Sequence, residues 1–238
     1  SIDSAGDFNG DGIDDLLIGA SGVNTPDIPG MGAVYVVFGR RDGFDAVVDL
    51  ATLDGSDGLR IVGASYYSRI GGAVAGVGDV NGDGFDDLLI SDSHIVHPGG
   101  GRVYLLFGAA GGFGATVNLG ELPEGAALRF DGGVLTTAGY AVSAVGDFDG
   151  DGFDDFMIGE PAFWSVGADV PRAHVVFGRD FAGGALTSGA AGETLLGTAG
   201  DDRLVAGGGD DVVDGGAGSD VLKGGAGDDV LLYDVADR

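Results

Sequence analysis

The sequence predicts an all-β protein made of two successive arrays of repeats, and three observations carry that expectation. One nine-residue loop occurs three times, as DFNGDGIDD at 7–15, DVNGDGFDD at 79–87 and DFDGDGFDD at 147–155. Each loop is followed by a short apolar run and, further on, by a second run that ends in Phe-Gly. From Gly197 the chain changes to glycine-rich units with an aspartate every nine residues. Self-similarity at fixed periods is the signature of a repeat architecture.

Each nine-residue loop puts oxygen-bearing side chains at positions 1, 3, 5 and 9, with a glycine after position 5. Alternating acids around a sharp turn can fold several oxygens onto one point. A hard cation such as calcium needs that arrangement, because it takes six to eight oxygen ligands in flexible geometry. An EF-hand would require a bidentate Glu at position 12 and a helix on either side. Position 12 is Ile18, Ile90 and Ile158, so that alternative fails at the same place three times. The runs after each loop, Leu16-Leu17-Ile18, Leu88-Leu89-Ile90 and Phe156-Met157-Ile158, read as buried strands bounded by Asp and Gly. The segments 73–78 and 141–146 lead into the second and third loops as extended chain. Each loop is therefore expected at the tip of a hairpin.

The repeat extends past the hairpin. A third strand is expected in GAVYVVFG at 32–39, GRVYLLFG at 101–108 and RAHVVFG at 172–178. A fourth is expected in LRIVGA at 59–64 and again in LRFDGG at 128–133. Loops begin 72 residues apart (Asp7 to Asp79) and then 68 apart (Asp79 to Asp147). Four short strands per repeat fit a propeller blade better than a solenoid coil. The first repeat starts within its first strand, and the third shows no fourth strand between Gly178 and Gly192, where the sequence reads as a linker.

These residues resemble the FG-GAP repeats of the integrin α-subunit β-propeller, which also occur in secreted bacterial proteins. Phe38-Gly39, Phe107-Gly108 and Phe177-Gly178 match the FG element. Gly19-Ala20-Ser21 and Gly159-Glu160-Pro161 approximate the GAP element, from which Ser91-Asp92-Ser93 departs. The resemblance covers roughly residues 1–180 and implies calcium bound between the first two strands of each blade. The ligands it implies are Asp7, Asn9, Asp11, the Ile13 carbonyl and Asp15 in the first loop. In the second they are Asp79, Asn81, Asp83, the Phe85 carbonyl and Asp87, and in the third Asp147, Asp149, Asp151, the Phe153 carbonyl and Asp155.

The C-terminal units read GTAGDDRLV, AGGGDDVVD, GGAGSDVLK and GGAGDDVLL, with Asp202, Asp211, Asp220 and Asp229 nine apart. They resemble the calcium-binding nonapeptide of RTX proteins, G-G-x-G-x-D-x-U-x. Glycines permit left-handed turns, the Asp aims an acid at the metal, and Leu204, Val213, Leu222 and Leu231 anchor short strands. The resemblance implies a short parallel β-roll in which turns n and n+2 share an edge. Asp202 would then stand with Asp220, and Asp211 with Asp229. Glu193 is placed to begin a degenerate fifth unit. The fold class is thus all-β, a partial FG-GAP β-propeller of three four-stranded repeats (about 1–66, 67–134 and 135–187) followed by a roll at 188–238. About five calcium ions are expected, three in the loops and two in the roll.

Composition agrees with calcium. Of 38 acids 34 are Asp, whose short carboxylates suit tight loops. A net charge of −27 excludes nucleic acid and anionic membrane as partners, since both demand Lys and Arg. At 44% hydrophobic residues the chain is not an acidic disordered tail, and no apolar run approaches the ~20 residues of a spanning helix. Zero cysteines fits either redox compartment. Extracellular calcium modules have dissociation constants of about 10⁻⁴–10⁻³ M, too weak to fill in a cytosol. The expectation is therefore a secreted, non-enzymatic calcium-binding module of bacterial, type I-like export, serving adhesion or surface display. An accessory region of a larger secreted hydrolase is the alternative. No room is evident after the roll for a C-terminal secretion signal.

Three loops fall short of the four to eight blades at which propellers close. A segment of a longer chain is the favoured explanation, with a homo-oligomeric ring or an open stack as alternatives. His94 and His97 lack a third metal ligand at sensible spacing, and His174 occupies the place of Tyr35 and Tyr104. Phe163-Trp164 could touch an extracellular protein or glycan but reads more simply as loop packing. The doubled acids Asp14, Asp86 and Asp154 are expected to hydrogen-bond within their own loops or to face solvent. Neither G-x-S-x-G nor H-E-x-x-H occurs, and no catalytic constellation assembles.

Overall fold

The computed structural model describes residues 1–23, 32–63, 68–92, 101–110, 113–123, 125–132, 137–150, 152–161, 172–178, 194–196, 203–214 and 221–233. They contain strands and a single 3-10 turn, Leu50–Thr52. The chain divides into two compact units, Ser1–Arg179 and Asp180–Arg238.

The first unit holds three antiparallel sheets, one per repeat. In the first, β1 (Ile2–Gly6), β2 (Asp15–Ala20), β3 (Ala33–Val37) and β4 (Gly58–Val62) pair in sequence order. The second is β5 (Ile70–Gly78), β6 (Asp87–Asp92), β7 (Arg102–Leu106) and β9 (Ala127–Asp131). The third is β10 (Ala141–Gly146), β11 (Asp155–Glu160) and β12 (Arg172–Val176), with no fourth strand among the described residues. Every metal-loop candidate lies between the first two strands of its sheet, as its flanking runs predict. The short strand β8 (Thr116–Asn118) was not expected. It leaves the second repeat and pairs in parallel with β4, adding a fifth strand to the first sheet.

Equivalent positions keep equivalent register. Ile18 faces Tyr35, Ile90 faces Tyr104 and Ile158 faces His174 across the hairpin that follows each loop. His174 thus fills a repeat position, and its Nε2 lies 2.8 Å from the buried Glu160 carboxylate. The apolar core runs between sheets: Leu17, Val34, Val36, Leu59 and Ile61 of the first repeat pack with Leu88, Ile90, Tyr104 and Leu106 of the second. Phe130 of the second repeat meets Phe156 of the third edge-on, at 5.7 Å between centroids. Strands β3 and β6 are buried at every position, so both of their faces are apolar, whereas β10 and β12 of the third repeat stay largely exposed.

The second unit is parallel. Strands β13 (Thr194–Leu196), β15 (Val212–Asp214) and β17 (Val230–Leu232) form one sheet, and β14 (Arg203–Gly208) and β16 (Val221–Ala226) the other. Leu204 pairs with Leu222 and Val213 with Leu231, so turns n and n+2 stack on the same side. Leu204, Val213 and Leu222 are buried between them.

Candidate metal centres

Each loop of the first unit is held by its own carboxylates. In the first, the Asp7 carboxylate accepts from the amides of Asp11 and Gly12, both at 2.9 Å. Asn9 Oδ1 accepts from the Asp11 amide, and Asp11 Oδ1 from the Ile13 amide. The second loop repeats the cage: Asp79 accepts from Gly82, Asp83 and Gly84, Asn81 from Asp83, and Asp83 from Phe85. In the third, Asp147 accepts from Gly150 at 2.7 Å and Gly152 at 3.2 Å. Ligand atoms of Asp147, Asp149 and Asp155 all lie within 4.8 Å of one another. Asp151 lies outside the described residues.

The acid at position 9 is buried in all three loops, and a contact that recurs in each repeat holds it. The amide of the Phe-Gly glycine donates to it: Gly39 to Asp15 at 2.8 Å, Gly108 to Asp87 at 2.9 Å and Gly178 to Asp155 at 2.7 Å. A side chain on any of these glycines would collide with the carbonyl of Asp14, Asp86 or Asp154. That close approach is the physical reason for glycine after the phenylalanine. The second oxygen of Asp87 and of Asp155 accepts from Val80 and Phe148 respectively. The corresponding oxygen of Asp15 is buried with no hydrogen-bond partner.

Burial, with the neighbouring loop acids, pushes the Asp15 carboxyl from its ordinary 3.8 up to about 6 and that of Asp87 up to about 8, against the pull of the Gly39 and Asn9 amides on the first and of Gly108 and Val80 on the second. A buried carboxylate is costly unless a positive charge compensates it. Among the described residues, ion pairs join Asp131 to Arg102 and Arg129, and Glu160 to His174, and none of these involves Asp15, Asp87 or Asp155. Converging acids, a buried oxygen without a donor and, among the described residues, no ion pair to Asp15, Asp87 or Asp155 together fit a bound divalent cation. The donor set is all oxygen, which selects calcium over zinc or a softer metal.

Asp14 faces solvent, one of the two expected places for the doubled acids, whereas Asp86 and Asp154 depart from the expectation. Asp86 does not bond within its own loop: its carboxylate accepts from the Asp7 amide of the preceding repeat, at 2.6 Å. Asp154 does the same to the Asp79 amide at 3.1 Å. Beside each, the ring at position 7 (Phe85 or Phe153) lies on the loop glycine of the preceding repeat, Gly10 or Gly82. Positions 7 and 8 of one loop therefore clasp the loop before it. The recurring Asp-Asp pair was the available signal for that role.

In the second unit Asp211 and Asp229 come together, the Asp211 amide donating to Asp229 Oδ1 at 3.0 Å. The neighbouring acids echo this pairing, Asp228 N to Asp210 Oδ1. Asp202, Asp220 and Glu193 lie outside the described residues, as do His94, His97, Phe163 and Trp164. A cleft of 720 Å³ opens beside the second loop, where Asp83, Phe113 and Glu121 are among the lining residues.

Comparison with known proteins agrees with this geometry. The FG-GAP repeat family matches residues 1–37, 71–106 and 138–168, and the RTX calcium-binding nonapeptide repeat matches 187–222 and 196–231. Integrin alpha-4 of Xenopus laevis is 35% identical over 173 residues, covering 72% of this chain and 15% of that protein. Integrin alpha-PS2 of Drosophila melanogaster is 33% identical over 161 residues, 64% of this chain and 11% of that protein. Phosphatidylinositol-glycan-specific phospholipase D of Homo sapiens is 35% identical over 96 residues, 40% of this chain and 10% of that protein. The chain thus spans a small part of each of these relatives. Cage, clasp and stacked turns together identify it as a chain of integrin α-like FG-GAP repeats followed by RTX calcium-binding nonapeptide repeats.

Proposed function

We propose that the chain is a calcium-loaded, non-enzymatic extracellular module that presents a protein- or glycan-binding surface in adhesion. The observation that carries it is the threefold recurrence of one bonded cage around a buried acid that lacks a cationic partner. The first loop binds through Asp7, Asn9, Asp11, the Ile13 carbonyl and Asp15. The second uses Asp79, Asn81, Asp83, the Phe85 carbonyl and Asp87. The third uses Asp147, Asp149, Asp151, the Phe153 carbonyl and Asp155. Asp202 with Asp220, and Asp211 with Asp229, serve the roll. Among the described residues no helix is long and apolar enough to cross a membrane, and sites of this type fill at extracellular calcium. The cleft beside the second loop offers acids and a ring to a partner.

The test is a calorimetric titration of calcium into the metal-stripped chain, with far-UV circular dichroism on the same samples. About five equivalents are expected, with strand signal growing in. Three equivalents would confine binding to the blades, and no binding at millimolar calcium would overturn the proposal. The similarity to a phospholipase D favours one second reading, in which the module accompanies the catalytic part of a secreted hydrolase. A catalytic domain in the same open reading frame would decide for it.

A further inference from the structure

The first and second loops carry fewer carboxylates at the proposed ligand positions than the third. Position 3 is Asn9 and Asn81 in the first two and Asp149 in the third, so each of the first two offers three acids where the third offers four. A fourth acid nevertheless reaches both, and it comes from the next repeat. Asp86 accepts from the Asp7 amide at 2.6 Å, and its own amide donates back to the Asp7 carbonyl at 3.4 Å. Asp154 repeats this two-way bond on Asp79, at 3.1 and 3.3 Å. The glycine before each loop leaves the space: at Gly6 and Gly78, with φ of 60° and 75°, a side chain would collide with the Asp86 or Asp154 carboxylate. Among the described residues neither acid makes an ion pair with a basic side chain.

The residue held in this way is the first ligand of its loop. Asp7 takes the amides of Asp11 and Gly12, and Asp79 those of Gly82, Asp83 and Gly84, so each cage closes around position 1. In the chain, Asp86 stands between the Phe85 carbonyl and Asp87, both proposed ligands of its own loop. Asp154 stands likewise between the Phe153 carbonyl and Asp155. One residue therefore belongs to two cages: its carboxylate anchors one, and its chain neighbours build the next.

We propose that Asp86 and Asp154 serve the calcium site of the preceding repeat from outside its coordination shell, and that they couple each site to the next. The inference rests on the reading of the loops as calcium sites. Calcium affinity in a loop follows its charge count and its rigidity. The neighbour's acid changes both, adding a negative charge and fixing the backbone of the first ligand. When the second loop fills, Phe85 and Asp87 are fixed on either side of Asp86, and its carboxylate meets Asp7 already ordered. Less ordering is then left to the first loop. By linkage the help is mutual, so neighbouring loops take up calcium together.

The test is a calcium titration of the metal-stripped full chain followed by two-dimensional amide NMR spectra. The amides of Gly12, Gly84 and Gly152 donate to Asp7, Asp79 and Asp147, and report the three loops separately. In the wild type Gly12 and Gly84 are expected to respond together, more steeply than a single-site curve. Asp86→Ala should move the Gly12 midpoint to ~10–100-fold higher calcium, as loss of a group that orients a metal ligand does, and leave Gly152 in place. Asp86→Asn keeps an acceptor for the Asp7 amide and removes only the charge, so its shift should be intermediate; it also serves should the alanine variant fold poorly. Asp83→Asn weakens the second loop while keeping an acceptor for the Phe85 amide. It should raise the Gly12 midpoint about fivefold or more where Asp86 is present, and not at all beside Asp86→Ala. Gly12 midpoints that stay at the wild-type value in both Asp86 variants overturn the proposal and leave the calcium reading standing. An equal rise at Gly152 overturns it too, as does an effect of Asp83→Asn that persists without Asp86. A wild type whose glycines ignore millimolar calcium ends both readings.

Discussion

The blade array and the roll both hold acids ready for a cation, yet they are built to opposite plans. A blade loop makes its cage within nine residues and borrows one amide from the third strand of its own sheet. In the roll the Asp211 amide reaches an acid 18 residues away, in the next turn but one. The cores differ as well. A continuous cluster from Ala5 to Ala127 joins the first two blades, while among the described residues the roll buries Leu204, Val213 and Leu222 against Leu231. A small core leaves little stability once the entropy of ordering the chain is counted. From this contrast the blades are expected to fold before the metal arrives and the roll to fold with it.

The sharpest way to break that contrast is to remove calcium. Chelation should abolish amide-exchange protection of β14 to β17, while β2, β3, β6 and β7 keep theirs. At calcium ten times the dissociation constant, mass action stabilises a folded site by ~1.4 kcal/mol, so two roll sites contribute about 100-fold in protection. Equal loss in both units would show that the blades too assemble only around metal.

A substitution at the borrowed amide should reverse the order of sensitivity. Gly108→Ala drives a methyl into the Asp86 carbonyl and shifts the donor away from Asp87. It is expected to destabilise the first unit by about 1–3 kcal/mol, as overpacking does, and to leave the roll's exchange unchanged even in saturating calcium. Thermal melts followed by exchange would show which unit yields first.

Acidity separates the metal-free from the loaded blade. Burial raises Asp15 to about 6 and Asp87 to about 8 in the folded chain, above the ordinary 3.8. Unfolded chain therefore loses its protons first, and the stability these neutral carboxyls confer is present below pH 4 and lost as pH climbs through 8. The stripped blade array should melt higher at pH 5 than at pH 8. Calcium, which binds the ionised form, should invert that order. Asp87→Asn should flatten the metal-free dependence; an unchanged slope would place its origin elsewhere.

Much of this was legible in the sequence because the chemistry is local. Asp7, Asn9 and Asp11 sit two residues apart, so their convergence is written into nine letters, and the resemblance of the nine-residue units to the RTX nonapeptide implies which turns stack. Phe38-Gly39 was visible as a recurrence, yet its purpose was not, since the amide of Gly39 serves an acid 24 residues earlier. The clasp of Asp86 was misplaced for the same reason: its partner is 79 residues away, in another repeat. Strand β8 escaped because three residues, Thr116, Val117 and Asn118, gain their pairing from the edge of the preceding sheet and carry no pattern of their own.

The smallest expected effect probes the joint between blades, where metal plays no direct part. Asp86→Ala removes an acceptor from the partly buried Asp7 amide but leaves every proposed ligand in place. A lost hydrogen bond to a charged group costs about 1.5–3 kcal/mol, less the share that solvent restores, so ~1 kcal/mol is expected at the first joint. Asp14→Ala deletes the same residue type at the same loop position, where Asp14 is exposed and has no partner among the described residues, and should cost nothing in dilute solution. Denaturant midpoints of the two variants, compared in saturating calcium, measure the clasp by difference. Equal midpoints would mean that packing of Phe85 over Gly10 and of Leu88 against the first sheet holds the repeats together without it.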